Sequence, residues 1–147
     1  MATVKNMLDV KGKQVWAVQD TLPIREALSL MAEKNIGALI VNQGEKMVGI
    51  FSERDYARFS VSLGYLLLDD PVGQYTTHSV YFVTPEQTVE EVMSLMTARH
   101  IRHLPVLKDG KLTGLISIGD VVNQMIVAKD GQIQGLENFI LGRSYIG

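Results

Sequence analysis

Two short elements in this sequence set a hydroxyl and a carboxylate three residues apart: Ser52-Glu53-Arg54-Asp55 and Ser117-Ile118-Gly119-Asp120. Each follows an apolar run that opens on a glycine, Gly49-Ile50-Phe51 and Gly114-Leu115-Ile116, so each reads as a strand handing over to a helix. The local role of such a pair is plain: the serine caps the helix and the carboxylate, in its first turn, complements the helix dipole. The same geometry can also bind. A helix N-terminus offers unpaired N–H groups to an anion, and a carboxylate can accept both hydroxyls of a diol. Cations stand near both elements. The first carries Arg54, with Arg58 one turn on; the second has Gly119 in that place, and its cationic candidates, Arg102 and His103, lie upstream. Taken singly, Arg102 reads as a solvated strand-edge charge and His103 as a half-buried polar residue.

Other chemistries find little support. The chain has no cysteine, which removes disulfides, thiolate catalysis and Cys-based zinc sites. His100 and His103 are three apart with no third ligand nearby, so no metal site is expected. There is no Gly-rich phosphate loop, no Gly-x-Ser-x-Gly elbow and no His-Glu-x-x-His, and the expectation is a protein that is not an enzyme. A net charge of −2 without a basic stripe argues against nucleic acid. The longest apolar runs are four or five residues, such as 38–41, against the roughly 20 needed to span a bilayer. With no signal-peptide pattern at the N-terminus, no membrane association is expected and the protein is read as cytoplasmic.

The elements that must position these residues come in duplicate. Shifting the chain by 65 positions lays Val18–Tyr56 on Val83–Val121 without a gap, with 12 identities in 39 pairs, among them Glu26/Glu91, Met31/Met96, Gly49/Gly114, Ser52/Ser117 and Asp55/Asp120. Each copy opens with an amphipathic helix: Ile24, Ala27, Leu28 and Met31 recur at helical spacing, as do Val89, Val92, Met93 and Met96. Pro23 suits an early helical position, and Thr88 with Glu91 forms a capping-box pattern. Two apolar runs follow, separated by Gly44-Glu45 in one copy and by Asp109-Gly110, a strong hairpin signal, in the other. A second helix begins at Ser52 and at Ser117, and a β-rich stretch precedes each copy, at 14–18 and 80–83.

Each copy is thus β-α-β-β-α, and the fold class is α/β (α+β). A unit of about 60 residues is near the lower limit for a self-sufficient core, so the two copies are expected to pack together. The division is 12–63 for the first repeat, 64–78 for a connecting segment in which Asp70-Pro71 starts a helical turn, 79–128 for the second repeat, and 129–147 for a C-terminal helix and tail. Residues 2–9 and 132–141 read as short flanking helices.

These residues resemble a known family. The duplicated Gly-x-x-Ser-x-x-Asp element, the run Ile101-Arg102-His103-Leu104-Pro105-Val106 and the Glu-x-x-Ser-Leu-Met helix in both copies look like a tandem pair of cystathionine β-synthase (CBS) domains, a Bateman module. The resemblance covers about 12–128. It implies two repeats packed by pseudo-two-fold symmetry, with clefts between them that take adenosine-containing ligands: AMP, ADP, ATP, NAD or S-adenosylmethionine. It also implies that Asp55 and Asp120 hold ribose, and that Ser52, Arg54, Arg58, Arg102, His103 and Ser117 face ribose or phosphate. The adenine pocket would come from the other repeat: for the Asp120 site the stretch 14–18, with Gln14, Trp16 and Val18, plus Ile36, Gly37 and Ala38, and for the Asp55 site the stretch 76–82, with Thr76, Ser79 and Tyr81, plus Ile101 and Arg102. Trp16 and Tyr81, 65 apart, read equally well as core aromatics. Such pairs commonly form homodimers and signal to a separate effector by reorienting the repeats. The alternative is a dimerisation scaffold that needs no ligand.

Overall fold

In the computed structural model, which describes residues 1–12, 14–78 and 80–128, the chain divides into two compact units. One is continuous, Gln14–Tyr81; the other joins the N-terminal residues to the chain from Phe82 on. The connecting segment therefore packs with the first repeat, and the N-terminal helix packs with the second.

In the first-repeat unit, β1 (Ala17–Gln19) lies parallel to β2 (Ala38–Gln43), which pairs antiparallel with β3 (Lys46–Ser52). Helix α2 (Ile24–Lys34) crosses over between β1 and β2, and α3 (Glu53–Leu63) follows β3 directly. Ile24, Ala27 and Met31 of α2 meet Leu39, Val41 and Phe51 in a buried core. Leu67 and Val72 of the connecting segment close it, the latter on a 3-10 turn at Val72–Tyr75.

The second-repeat unit repeats the plan with α4 (Val89–Arg99), β4 (His103–Lys108), β5 (Lys111–Ser117) and α5 (Ile118–Ala128). The hairpin shift between Val41 and Asn42 recurs between Val106 and Leu107, 65 residues on. Val89, Val92 and Met96 pack on Leu104, Val106, Ile116 and Val121. Here the closing residues are Val4, Met7 and Leu8 of the N-terminal helix α1 (Val4–Lys11), all at most 3% exposed.

Local chemistry accounts for most boundaries. Asp109 (φ 52°) and Gly110 (φ 77°) both take the left-handed conformation that a two-residue hairpin loop requires. Helices α2 and α4 end on left-handed residues at equivalent places, Asn35 and His100, so His100 terminates a helix. Three expectations shift. Pro23 is extended and stands just before α2, whose first helical residue is Ile24, because its φ of −60° suits either place and its ψ of 143° does not continue a helix. Thr88 accepts from the Glu91 N–H, but the Glu91 side chain lies toward Gln87, so only half of the capping box forms. The β-rich stretch before the second repeat makes a single parallel bridge, Val83 to Val106, where the first repeat has a three-residue strand. The helix expected at 132–141 lies outside the described residues. Among those described, no helix is long and apolar enough to cross a membrane.

Candidate functional site

The first hydroxyl-carboxylate pair forms at the start of α3. Ser52 Oγ accepts from the Asp55 N–H at 3.1 Å, the N-cap bond expected from sequence. The Asp55 carboxylate is half-buried and accepts the Thr77 hydroxyl on Oδ2 at 3.2 Å. Gly37 and Ala38 lie at the foot of this helix: the Gly37 carbonyl accepts the Glu53 N–H, and Ala38 pairs across the hairpin with Ser52. Arg54 is half-buried and Arg58 exposed, and among the described residues neither forms an ion pair.

The second pair, at the start of α5, is drawn together more tightly. Ser117 Oγ accepts from the Asp120 N–H at 3.3 Å, while Asp120 Oδ2 accepts the Ser117 N–H at 2.7 Å and the Ser117 hydroxyl at 3.1 Å. The same oxygen takes an ion pair from Lys11 Nζ at 2.7 Å. His103 stands across the hairpin from Ser117, and the Arg102 carbonyl accepts the Ile118 N–H. The structure thus gathers Arg102, His103, Ser117 and Asp120 at one helix start, and Gly37, Ala38, Ser52, Arg54 and Asp55 at the other.

The donors to the two carboxylates come from segments that play equivalent parts. Val4 N–H bonds the Gln87 carbonyl as Val72 N–H bonds that of Leu22, and the bridge Thr3–Thr88 matches Pro23–Pro71. Each segment then runs against a glycine of the hairpin. A Cβ on Gly49 would run into the Thr77 backbone carbonyl, so that approach needs a residue without a side chain, and one on Gly114 would lie 2.6 Å from Leu8 Cδ2, so that approach needs either glycine or a shift of the Leu8 side chain. Beyond this point the segments diverge. The 3-10 turn ends at Tyr75, and the extended chain carries Thr77 alongside Ile50, whereas α1 runs on to Lys11.

The residues expected around an adenine are more dispersed. Trp16 is half-buried against the first-repeat core, with Lys34 Nζ 4.5 Å from its ring centroid. Val18 and Ile36 pack on that core and Ile101 on the other. Thr76 is buried, and its hydroxyl donates to the Val72 carbonyl. Gln14 and Tyr81 are exposed, and Ser79 lies outside the described residues. Among the described residues no group of three or more His, Asp or Glu side chains is placed to hold a metal ion.

The sequence matches the CBS domain family twice, over residues 9–62 and 72–127, one match on each repeat. The chain belongs to the CBS-domain family. It is a tandem pair, a Bateman module, and CBS domains are non-catalytic regulatory modules. It is 34% identical over 150 residues to the mitochondrial CBS domain-containing protein CBSX3 of Arabidopsis thaliana, a match that covers 95% of this chain and 72% of that protein. A CBS-domain containing protein of Agrobacterium tumefaciens superposes with a TM-score of 0.81 at 38% identity, over 86% of this chain and 96% of the other. The structure of CBSX2 in complex with AMP superposes with a TM-score of 0.71 at 26% identity, over 88% and 99%.

Of the two residues of this CBS pair that reach the carboxylates from other segments, Thr77 falls within the 76–82 stretch expected at the Asp55 site, though on the ribose acceptor and not at an adenine, and Lys11 is absent from the candidates read from sequence. Both lie outside the stretch that repeats with a 65-residue shift. A shift of 68, the spacing between Val4 and Val72, aligns the covering segments, yet the helix in one and the extended chain in the other put different positions on the carboxylate.

Proposed function

We propose that this CBS pair is a regulatory module that binds adenosine-containing ligands, with Asp55 and Asp120 as ribose acceptors and Ser52, Arg54, Arg58, Arg102, His103 and Ser117 toward ribose or phosphate. The observation that carries the reading is the Asp55 carboxylate. It is half-buried at a helix start, accepts one neutral hydroxyl, and has Arg54 beside it in the same turn. A diol donates two O–H groups and a carboxylate can accept both, while the Arg54 guanidinium suits an anion. The AMP bound to CBSX2 supports the same ligand class. Gln14, Trp16, Val18, Ile36, Gly37, Ala38, Thr76, Ser79, Tyr81 and Ile101 are proposed for the adenine. A ligand of this kind regulates by favouring the conformation it binds best, and the signal passes to a separate effector or to a second copy of the chain.

A second reading, a homodimeric scaffold that needs no ligand, is favoured by apolar residues left exposed on the same two helices: Phe59, Val61 and Leu63 on α3, and Ile118, Val122 and Val127 on α5. The two readings separate in one experiment. Calorimetry and thermal shift with AMP, ADP, ATP, NAD and S-adenosylmethionine are run on the wild type, Asp55→Ala and Asp120→Asn. A ligand at 100 times its Kd stabilises the folded state by about 2.7 kcal/mol. A stabilising ligand lost in either variant supports the nucleotide reading. No binding by any of the five, with a dimer that persists on dilution, leaves the scaffold.

A further inference from the structure

The two carboxylates differ in the charge of what holds them. Asp120 Oδ2 receives three donors, the Lys11 ammonium and both the N–H and the hydroxyl of Ser117, and Lys11 Nζ is fixed a second time by the Leu115 carbonyl at 2.6 Å. Asp55 Oδ2 receives the Thr77 hydroxyl, and among the described residues no ion pair reaches it. We propose that Lys11 makes the pair unequal: it guards Asp120, so that an adenosine ligand fills the Asp55 site first and the Asp120 site at higher concentration.

This inference rests on the reading that each carboxylate takes a ribose diol. To engage both carboxylate oxygens at Asp55, a diol displaces one neutral hydrogen bond. At Asp120 it meets an oxygen already saturated by three donors, one of them an ammonium, and charge-assisted bonds of this kind are roughly twice as strong as neutral ones. The ion pair is partly shielded, with side chains 33% and 19% exposed, and its removal leaves α1 docked through Val4, Met7 and Leu8. Lys11 is thus a positioning residue that sets the order of filling. An exposed or half-exposed ion pair of this size corresponds to at most about a fivefold change in an equilibrium constant.

The test is AMP calorimetry on the full chain carrying Asp55→Ala, which isolates the Asp120 site, with and without Lys11→Met, Lys11→Gln or Lys11→Arg. Binding of AMP at the Asp120 site should tighten, by up to about fivefold, with Lys11→Met and with Lys11→Gln, and stay unchanged with Lys11→Arg, which keeps the charge. Unchanged or weakened binding in both neutral variants, with the wild type still binding AMP, overturns the guard and leaves the nucleotide reading standing. A wild type that binds none of AMP, ADP, ATP, NAD and S-adenosylmethionine overturns the nucleotide reading and this inference with it; one that binds another of the five is titrated with that ligand in place of AMP. Far-UV circular dichroism checks that each variant is folded, and Lys11→Gln serves if the apolar Lys11→Met does not fold.

Discussion

Ser52 and Ser117 are the same residue type at the same place in each repeat, yet they end in different networks. Ser117 and Asp120 cap one another reciprocally, while Ser52 takes the Asp55 N–H and leaves that carboxylate to Thr77. Function and stability are therefore more entangled at Asp120 than at Asp55, which is why the milder Asp120→Asn belongs in the binding test. A third carboxylate, Asp70, acts on a phenol. Tyr75 Oη donates to Asp70 Oδ2 at 2.7 Å, and that hydrogen bond, with the negative charge of Asp70 adding to it, raises the Tyr75 pKa from 10.0 to about 12. The folded chain thus holds this proton more tightly than the unfolded chain. The contribution to stability is complete below pH 10 and is lost as pH rises toward 12. Ultraviolet titration of the folded protein should show one tyrosine ionising near pH 12, absent in Tyr75→Phe; a tyrosine spectrum unchanged by that substitution would remove the assignment.

Among the elements, the hairpin glycines separate two kinds of close approach. Gly49 lies under the Thr77 backbone carbonyl, which is pinned by paired bonds between Thr77 and Ile50 in both directions. Gly114 lies under the end of the Leu8 side chain, which can turn to another rotamer. Gly49→Ala should therefore be the more damaging of the two, by about 1–3 kcal/mol of overpacking, with Gly114→Ala at the lower end of that range. Urea unfolding of both variants measures the order, and equal losses would show the Thr77 segment to be as yielding as a leucine side chain. This contrast also marks how far the sequence was legible. The helices, hairpins and serine caps followed from periodicity, from Asp109-Gly110 in one copy and from Ser-x-x-Asp in both, because those signals act over a few residues. What covers each glycine did not follow. Lys11 and Asp120 are 109 residues apart, and no local pattern marks a bond made across that distance. Trp16 and Tyr81 show the converse, since equivalent positions 65 apart meet different surroundings: Trp16 packs on its own repeat's core and Tyr81 is exposed.

At the scale of the whole chain, the two repeats are equivalent in sequence but not in how their cores are completed. The first is closed by Leu67 and Val72, which follow it directly. The second is closed by Val4, Met7 and Leu8, which precede the first repeat, so its unit is discontinuous. Burying a side chain of this size contributes about 1.5–3 kcal/mol, and three of them are a large share of the stability of a unit of about 60 residues. Removing residues 1–12 should then destabilise the distant repeat. Amides of β4 and β5, paired from His103–Ser117 to Lys108–Lys111, should lose hydrogen-exchange protection, while those of β2 and β3 keep theirs. Loss confined to β1, the strand nearest the deletion in sequence, would mean that α1 acts through chain connectivity and not by closing the second core. If the loss falls on β4 and β5, the helix that carries Lys11 is also what holds the hairpin beneath Asp120. Stability of the second repeat and access to its carboxylate would then be controlled from the same eight residues, Val4–Lys11.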